Sequence, residues 1–229
     1  MHSKPYNQSQ TSREAVQLRR VHTLTDRFSM ANTYLVDEER LFVIDPCSVR
    51  NVHLLFKYVT HILHRPIHDI DLIVLTHLHP DHKVAAEALR NLCDAPIAAP
   101  AGVQPSLTQR QKRKGISAFS YTYKHQTHEI SIWLHDVEGL PNHLDWRVIT
   151  SPGPTGERLC LYNPFTRELL SGNTIFTIRG KASLVRGNTN PALLREIIET
   201  LRNLPISYLY PGHGRAILSH HPLSNLNVE

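Results

Sequence analysis

Four potential metal ligands fall within six consecutive residues of the sequence: His77, His79, Asp81 and His82. They directly follow an apolar run at residues 71–75 that is typical of a buried strand. Neutral imidazoles and a carboxylate are the ligands that Zn²⁺ prefers when sulfur is absent. Packed together without a metal they would perturb one another's protonation, since a buried carboxylate needs a counter-charge. The spacing therefore predicts a metal site, although Asp81 is also suited to cap a following helix.

The elements that must position these residues are strands interrupted by helices. Strand-like patterns cover residues 31–36, 41–44, 72–75, 95–99, 130–134, 146–150, 159–162, 168–171 and 207–210. Helical spacing covers residues 49–63, about 84–92 and about 191–204, and Asn190 and Pro191 suit the start of the last helix. Residues 102–126 show little periodicity and predict a surface excursion. This order predicts two sheets packed between outer helices.

Length and composition indicate an ordinary globular protein. With 229 residues, 41% hydrophobic and 20% charged, we expect one domain over residues 19–229 after a disordered or loosely docked segment at residues 1–18. The polar N-terminus, the lack of a membrane-length apolar run and three unpaired cysteines favour a cytoplasmic protein without a membrane association. The net charge is +5, but the basic run at residues 109–115 is typical of a solvated loop, so the nucleic-acid signal is weak.

The segment Thr-His-Leu-His-Pro-Asp-His at residues 76–82 resembles the Thr-His-x-His-x-Asp-His motif of the metallo-β-lactamase superfamily. Three further segments are similar to motifs of that superfamily, in the same order: Val-Ile-Asp-Pro at 43–46, Leu-Ser-Gly-Asn-Thr-Ile-Phe at 170–176 and Tyr-Pro-Gly-His-Gly at 210–214. The resemblance runs from about residue 20 to 215, nearly the whole chain. It implies an α/β (α+β) fold, a four-layer αββα sandwich with the metal site at one edge of the paired sheets.

The resemblance also implies roles for individual residues. It places His77 and His79 on a first metal and Asp81, His82 and His213 on a second, with Asp81 and His79 as catalytic residues and Asp45 and Thr76 supporting the ligands. Two positions depart from the pattern, because Pro154 stands where a histidine is expected and Asn173 where an aspartate bridges the two metals. A neutral amide is a poor bridge between two cations. We therefore expect one Zn, Fe or Mn ion on Asp81, His82 and His213, without full dinuclear occupancy.

Several residues are alternatives for the ligand missing at position 154. His143 precedes an extended stretch at residues 144–150, about 23 Å long at about 3.3 Å per residue, and is expected at the end far from the site. His125 and His128 lie in the excursion and could fold over the site. Arg158 or Lys83 could place a fixed cation there, although an ordinary surface position is the preferred interpretation for both.

Two functional hypotheses follow, and both stay open at the level of sequence. The first is a hydrolase whose metal-bound water attacks an ester-, thioester- or lactone-like carbonyl of a small-molecule substrate. The second is a non-catalytic binding or scaffold relative that has lost metal-dependent hydrolysis at Pro154 and Asn173. In either case an oligomer is possible and the partner is a small molecule rather than a nucleic acid or a membrane.

Overall fold

The computed structural model describes residues 20–25, 31–78, 85–103, 130–153, 156–184 and 190–226. The segment predicted at residues 1–18 lies outside this range, as does the predicted excursion from residue 104 onward. The prediction of one domain over residues 19–229 therefore remains a prediction. Within the described ranges, no helix is long and apolar enough to cross a membrane.

The first sheet combines an antiparallel and a parallel half. Its six described strands are β1 (Val21–Thr23), β2 (Tyr34–Asp37), β3 (Leu41–Ile44), β4 (Ile70–Val74), β5 (Ile97–Pro100) and β6 (Ile132–Leu134), hydrogen-bonded in that order. β1 to β3 pair antiparallel, whereas β3 to β6 pair parallel. The β3 sequence Leu-Phe-Val-Ile is apolar throughout because both faces of this strand are buried. Phe42 and Ile44 face the other sheet, and Leu41 and Val43 face the helices.

The second sheet is mostly antiparallel. Its described strands are β7 (Gly139–Leu140), β8 (His143–Gly153), β9 (Gly156–Asn163), β10 (Glu168–Gly172), β13 (Tyr208–Pro211) and β14 (Ile217–Leu218). They are arranged in the order β14-β13-β10-β9-β8-β7, with only the β10–β13 pair parallel. A separate hairpin of β11 (Ile175–Ile178) and β12 (Lys181–Leu184) follows β10. This hairpin, together with β1, β7 and β14, was not predicted from sequence.

Three α-helices cover the outer faces of the sheets in the described part of the chain: α1 (Val49–Lys57), α2 (Ala86–Cys93) and α3 (Pro191–Arg202). α1 and α2 pack on the first sheet, and α1 continues into a π-helical turn at Tyr58–Ile62. α3 packs on the second sheet, and it begins as predicted, because the Asn190 side chain accepts a hydrogen bond from the Ala192 amide. The layers are helix, sheet, sheet, helix, which confirms the predicted αββα fold.

Candidate functional site

Five of the described candidate residues lie just beyond strand ends at the same edge of the sandwich. Asp45 follows β3, Thr76 and His77 follow β4, Asn173 follows β10, and His213 follows β13. Each of these pairs of neighbouring strands is parallel, so the carboxyl ends of β3 and β4 meet in one sheet and those of β10 and β13 meet in the other. Strand direction therefore brings together residues that are far apart in sequence.

The Asp45 carboxylate fixes the start of the histidine-rich loop. Asp45 is buried, and its Oδ1 accepts from the Thr76 amide at 2.8 Å while its Oδ2 accepts from Thr76 Oγ1 at 2.6 Å. The Asp45 backbone has a φ of 49°, a left-handed conformation that aspartate tolerates better than most residues. Because one Asp45 carboxylate accepts from both the amide and the hydroxyl of Thr76, it holds the backbone and the side chain of Thr76 in place.

His77 lies between Thr76 and Asn173 and is only 1% exposed. Thr76 Oγ1 is 3.0 Å from His77 Nδ1, and Asn173 Nδ2 is 3.0 Å from His77 Nε2. Thr76 has one hydroxyl proton, which it donates to Asp45, so His77 Nδ1 must be the donor to Thr76. In the neutral ring Nε2 then carries the lone pair and accepts from the Asn173 amide. The result is a continuous chain of hydrogen bonds from Asp45 to Asn173.

Two glycines allow the backbone and side chains of this network to approach closely. Gly172 has a φ of +47°, and a Cβ added there would lie 2.6 Å from Thr76 Oγ1. A Cβ added at Gly212 would lie 2.4 Å from Asn173 Oδ1. That oxygen is buried and accepts no hydrogen bond from the described residues. Both glycines are therefore required by packing against the network.

Asn32 holds the loop that carries His213, a role that sequence reasoning missed. Its side-chain nitrogen lies 2.8 Å from the Pro211 carbonyl and 2.7 Å from the Gly214 carbonyl, and the Tyr34 hydroxyl donates to the same Pro211 carbonyl at 2.6 Å. Asn32 is buried, whereas His213 between these anchor points is half-buried. An asparagine at the start of an apolar strand was the only signal, and it does not specify a partner 179 residues away.

The preferred prediction of a surface position for Arg158 is wrong, because the side chain is buried. It is 4% exposed, and its Nη1 donates to the Asn173 carbonyl at 2.9 Å. Burial lowers the pKa of Arg158, an effect partly offset by the Cys160 sulfur. The guanidinium therefore supports Asn173 from the backbone side, opposite to the contact between the Asn173 side chain and His77.

His143 lies near the far end of the sandwich from these residues. Its ring is buried between two carboxylates, with Nδ1 3.1 Å from Glu38 Oε2 and Nε2 2.9 Å from Asp71 Oδ1. Trp146 Nε1 also donates to Glu38, at 2.9 Å. Burial opposes protonation of His143, but the hydrogen bonds and charges of both carboxylates outweigh it and raise its pKa. His143 is thus committed to an ionic cluster at the opposite edge.

The remaining sequence candidates lie outside the described residues. These are the ligand candidates His79, Asp81 and His82, the position Pro154, and the alternatives Lys83, His125 and His128. Among the residues that the structure describes, no group of three or more His, Cys, Asp or Glu side chains is placed to hold a metal. The roles assigned to Asp81, His82 and His213 as ligands, and to His79 in catalysis, therefore stay predictions.

A family model, a curated relative and solved structures were compared with this chain. A family model described as "Metallo-beta-lactamase superfamily" matches residues 26–213. A probable metallo-hydrolase from Methanocaldococcus jannaschii is 28% identical over 189 residues, which are 80% of this chain and 87% of the relative. A metallo-beta-lactamase family protein from Thermus thermophilus has a TM-score of 0.61 at 18% identity, covering 87% of this chain and 75% of that one. The protein TTHA1623, solved in a di-iron-bound form, has a TM-score of 0.62 at 23% identity, covering 86% and 94%.

Proposed function

Because the chain belongs to the metallo-β-lactamase superfamily, we propose that it is a metallo-hydrolase-like protein that holds at most one metal ion. Its substrate is a small molecule with an ester-, thioester- or lactone-like carbonyl. The observation that carries this proposal is the 3.0 Å hydrogen bond between Asn173 Nδ2 and His77 Nε2. The His77 lone pair that a first metal would need already accepts this hydrogen bond. The residues of the first metal position, His77 and Asn173, therefore do not fit an ion.

The second position retains ligands of suitable chemistry for one ion. Asp81, His82 and His213 supply a carboxylate and two imidazoles, which leaves a position open for substrate or water. The loop of His213 is held in place by Asn32 and Tyr34, which favours a preformed ligand position. When bound, the ion would polarise the substrate carbonyl and activate water.

The residues of the first position have a positioning role in this proposal. His77 is held by Thr76 on one nitrogen and by Asn173 on the other, so it orients the Asn173 side chain beside the substrate. Proton transfer is assigned to His79, because both ring nitrogens of His77 are already hydrogen-bonded. Asp81 combines its ligand role with orientation of the substrate.

A non-catalytic binding protein is the second candidate, and one observation favours it. The hydrogen bonds from Asp45 through Thr76 to His77 use both nitrogens of the His77 ring and the Asn173 amide nitrogen without a metal. A site of this kind keeps its shape in the metal-free state. It could therefore bind a ligand after hydrolysis has been lost.

Metal content distinguishes the two candidates. We would measure zinc, iron and manganese per chain in purified protein before any metal is added, in the wild type, in Asp81→Ala and in Asp145→Ala, an exposed control. The hydrolase proposal predicts about one ion per chain in the wild type and the control, and loss of the ion in Asp81→Ala. A metal-free wild type of unchanged stability would favour the binding protein.

A repair experiment tests the interpretation of the first position. In the double variant Pro154→His and Asn173→Asp, we expect metal content to rise toward two ions per chain, and hydrolysis of generic thioester and lactone substrates to increase. Asn173→Asp alone serves as the matched intermediate. Unchanged metal content and activity in the double variant would show that the first position has been remodelled rather than merely depleted of ligands.

A further inference from the structure

A buried cation lies on the outer face of the second sheet, behind the candidate site. Arg158 is near the start of β9, on the same strand face as Cys160, which packs in the core beneath α3. Its guanidinium keeps its proton under ordinary conditions, because arginine is not deprotonated in proteins. A buried guanidinium is costly to stability unless a negative group compensates it.

No carboxylate compensates Arg158 within the described part of the chain. The Cys160 thiol lies close enough to act on this guanidinium but supplies no negative charge at neutral pH, because burial raises its pKa to about 12. Nη1 donates to the neutral Asn173 carbonyl, and Nε is buried without an acceptor among the described residues. One charge and at least one N–H donor therefore remain unmatched.

Two buried hydroxyls, those of Ser151 and Thr174, lie near Arg158. Ser151 is the direct cross-strand neighbour of Arg158, so their side chains leave the same face of the sheet about 4.5–5.5 Å apart. Thr174 contributes the nitrogen of the peptide whose carbonyl accepts from Arg158, and its hydroxyl approaches the Cys160 thiol. Neither Ser151 Oγ nor Thr174 Oγ1 has a hydrogen bond of normal geometry to any described residue.

We propose that Arg158 Nε, Ser151 Oγ and Thr174 Oγ1 together bind a small monovalent anion, such as chloride. Each of the three groups carries a proton that it can donate to an anion, and an anion also neutralises the guanidinium. A water molecule would satisfy the hydrogen bonds but leave the charge uncompensated. Since Arg158 also holds the Asn173 carbonyl, the bound anion fixes the residue that contacts His77.

Thermal unfolding in matched salts tests the proposal. We expect the Tm of the wild type to be about 2–4 °C higher in sodium chloride than in sodium gluconate of equal ionic strength, because gluconate is too large for the site. Arg158→Met removes the charge and should abolish this difference. Arg147→Met, an exposed arginine on the neighbouring strand β8, should retain it. Equal Tm values for the wild type in the two salts would overturn the proposal.

Crystallography and a second variant make the test independent of Arg158→Met folding. Crystals grown or soaked with sodium bromide should show an anomalous peak within hydrogen-bonding distance of Arg158 Nε. Ser151→Ala with Thr174→Val keeps the guanidinium and should raise the chloride concentration at the midpoint of the Tm increase several-fold. An ordered water at Nε in bromide crystals, or an unchanged chloride midpoint in the double variant, would contradict the anion site.

Discussion

Replacing His143 by glutamine should destabilise the protein in a pH-dependent manner. The side chain is buried between Glu38 and Asp71, at 3.1 and 2.9 Å, and its raised pKa shows that the folded protein favours the charged ring. Burial disfavours the Glu38 carboxylate, but hydrogen bonds from His143 and Trp146 more than compensate and lower its pKa. His143→Gln removes the cation and leaves two carboxylates facing each other.

The cost can be estimated from the geometry of this cluster. Removing one partner of a fully buried ion pair costs about 3–5 kcal/mol. Glu38 and Asp71 retain 15% and 13% exposure, and Arg40 Nε lies 3.7 Å from Asp71, so water and Arg40 compensate part of the loss. We therefore expect a loss of about 2–3 kcal/mol in the free energy of unfolding. This corresponds to a decrease in Tm of about 4–12 °C.

The sign of the pH dependence follows from the raised pKa. A histidine whose pKa is higher in the folded than in the unfolded chain stabilises fully below about pH 6.5, and this contribution is lost as the pH rises through the folded-state pKa. Urea unfolding of wild type and variant should therefore differ more at about pH 6 than at about pH 9. His135→Gln, the same change at an exposed position, is the control. An equal difference at both pH values would refute the ion-cluster explanation.

Three further predictions concern a glycine of the site, a buried carboxyl of β10 and the loop of His213. Gly172→Ala should lower the free energy of unfolding by more than about 2 kcal/mol, because the added Cβ would clash with Thr76. Gly180→Ala is the control, since Gly180 also has a positive φ but lies in open space, and it should cost about 1 kcal/mol. Equal urea midpoints for the two variants would contradict this prediction. Glu168→Gln should stabilise by about 0.5–1 kcal/mol at about pH 8, since burial raises the pKa of this carboxyl and penalises its ionised form, and the gain should vanish below about pH 4. Asn32→Ala should cost about 1–3 kcal/mol and increase amide hydrogen exchange at residues 211–214, and unchanged exchange there would count against its anchoring role.

The parts of the fold that were predictable from sequence are those with a strong local signal. β3 is apolar throughout and β4 is apolar except for Asp71, a pattern typical of strands buried on both faces, and Asn190 with Pro191 specifies the start of α3. The hairpin at residues 175–184 was missed, because its strands are short and its second strand begins with an exposed lysine. Its local signal is weaker but present, since Ile175–Ile178 consists of β-branched and aromatic residues and the two turn residues both have a positive φ.

In the candidate site, too, only the contacts with a local sequence signal were predictable. The sequence motif indicated that Thr76, His77 and Asp45 lie together, because each follows a strand end. It did not indicate that Asn173 donates to His77, since that contact depends on how two sheets align across 96 residues. Burial of Arg158 was also unpredictable, because charged residues are usually exposed and only the packing of the second sheet makes this one an exception.

The hydrogen bond between His77 and Asn173 has a mechanical consequence for the whole sandwich. It ties the first sheet to the second at the site edge, and the bonds of His143 to Glu38 and Asp71 tie the same two sheets at the opposite edge. The hydrogen bond between His77 and Asn173 requires a neutral His77 ring, whereas the bonds of His143 to the two carboxylates are strongest when the His143 ring is charged. Alkaline conditions should therefore loosen the two sheets at the His143 edge first, and solvent should enter the interface from that edge before it enters from the candidate site.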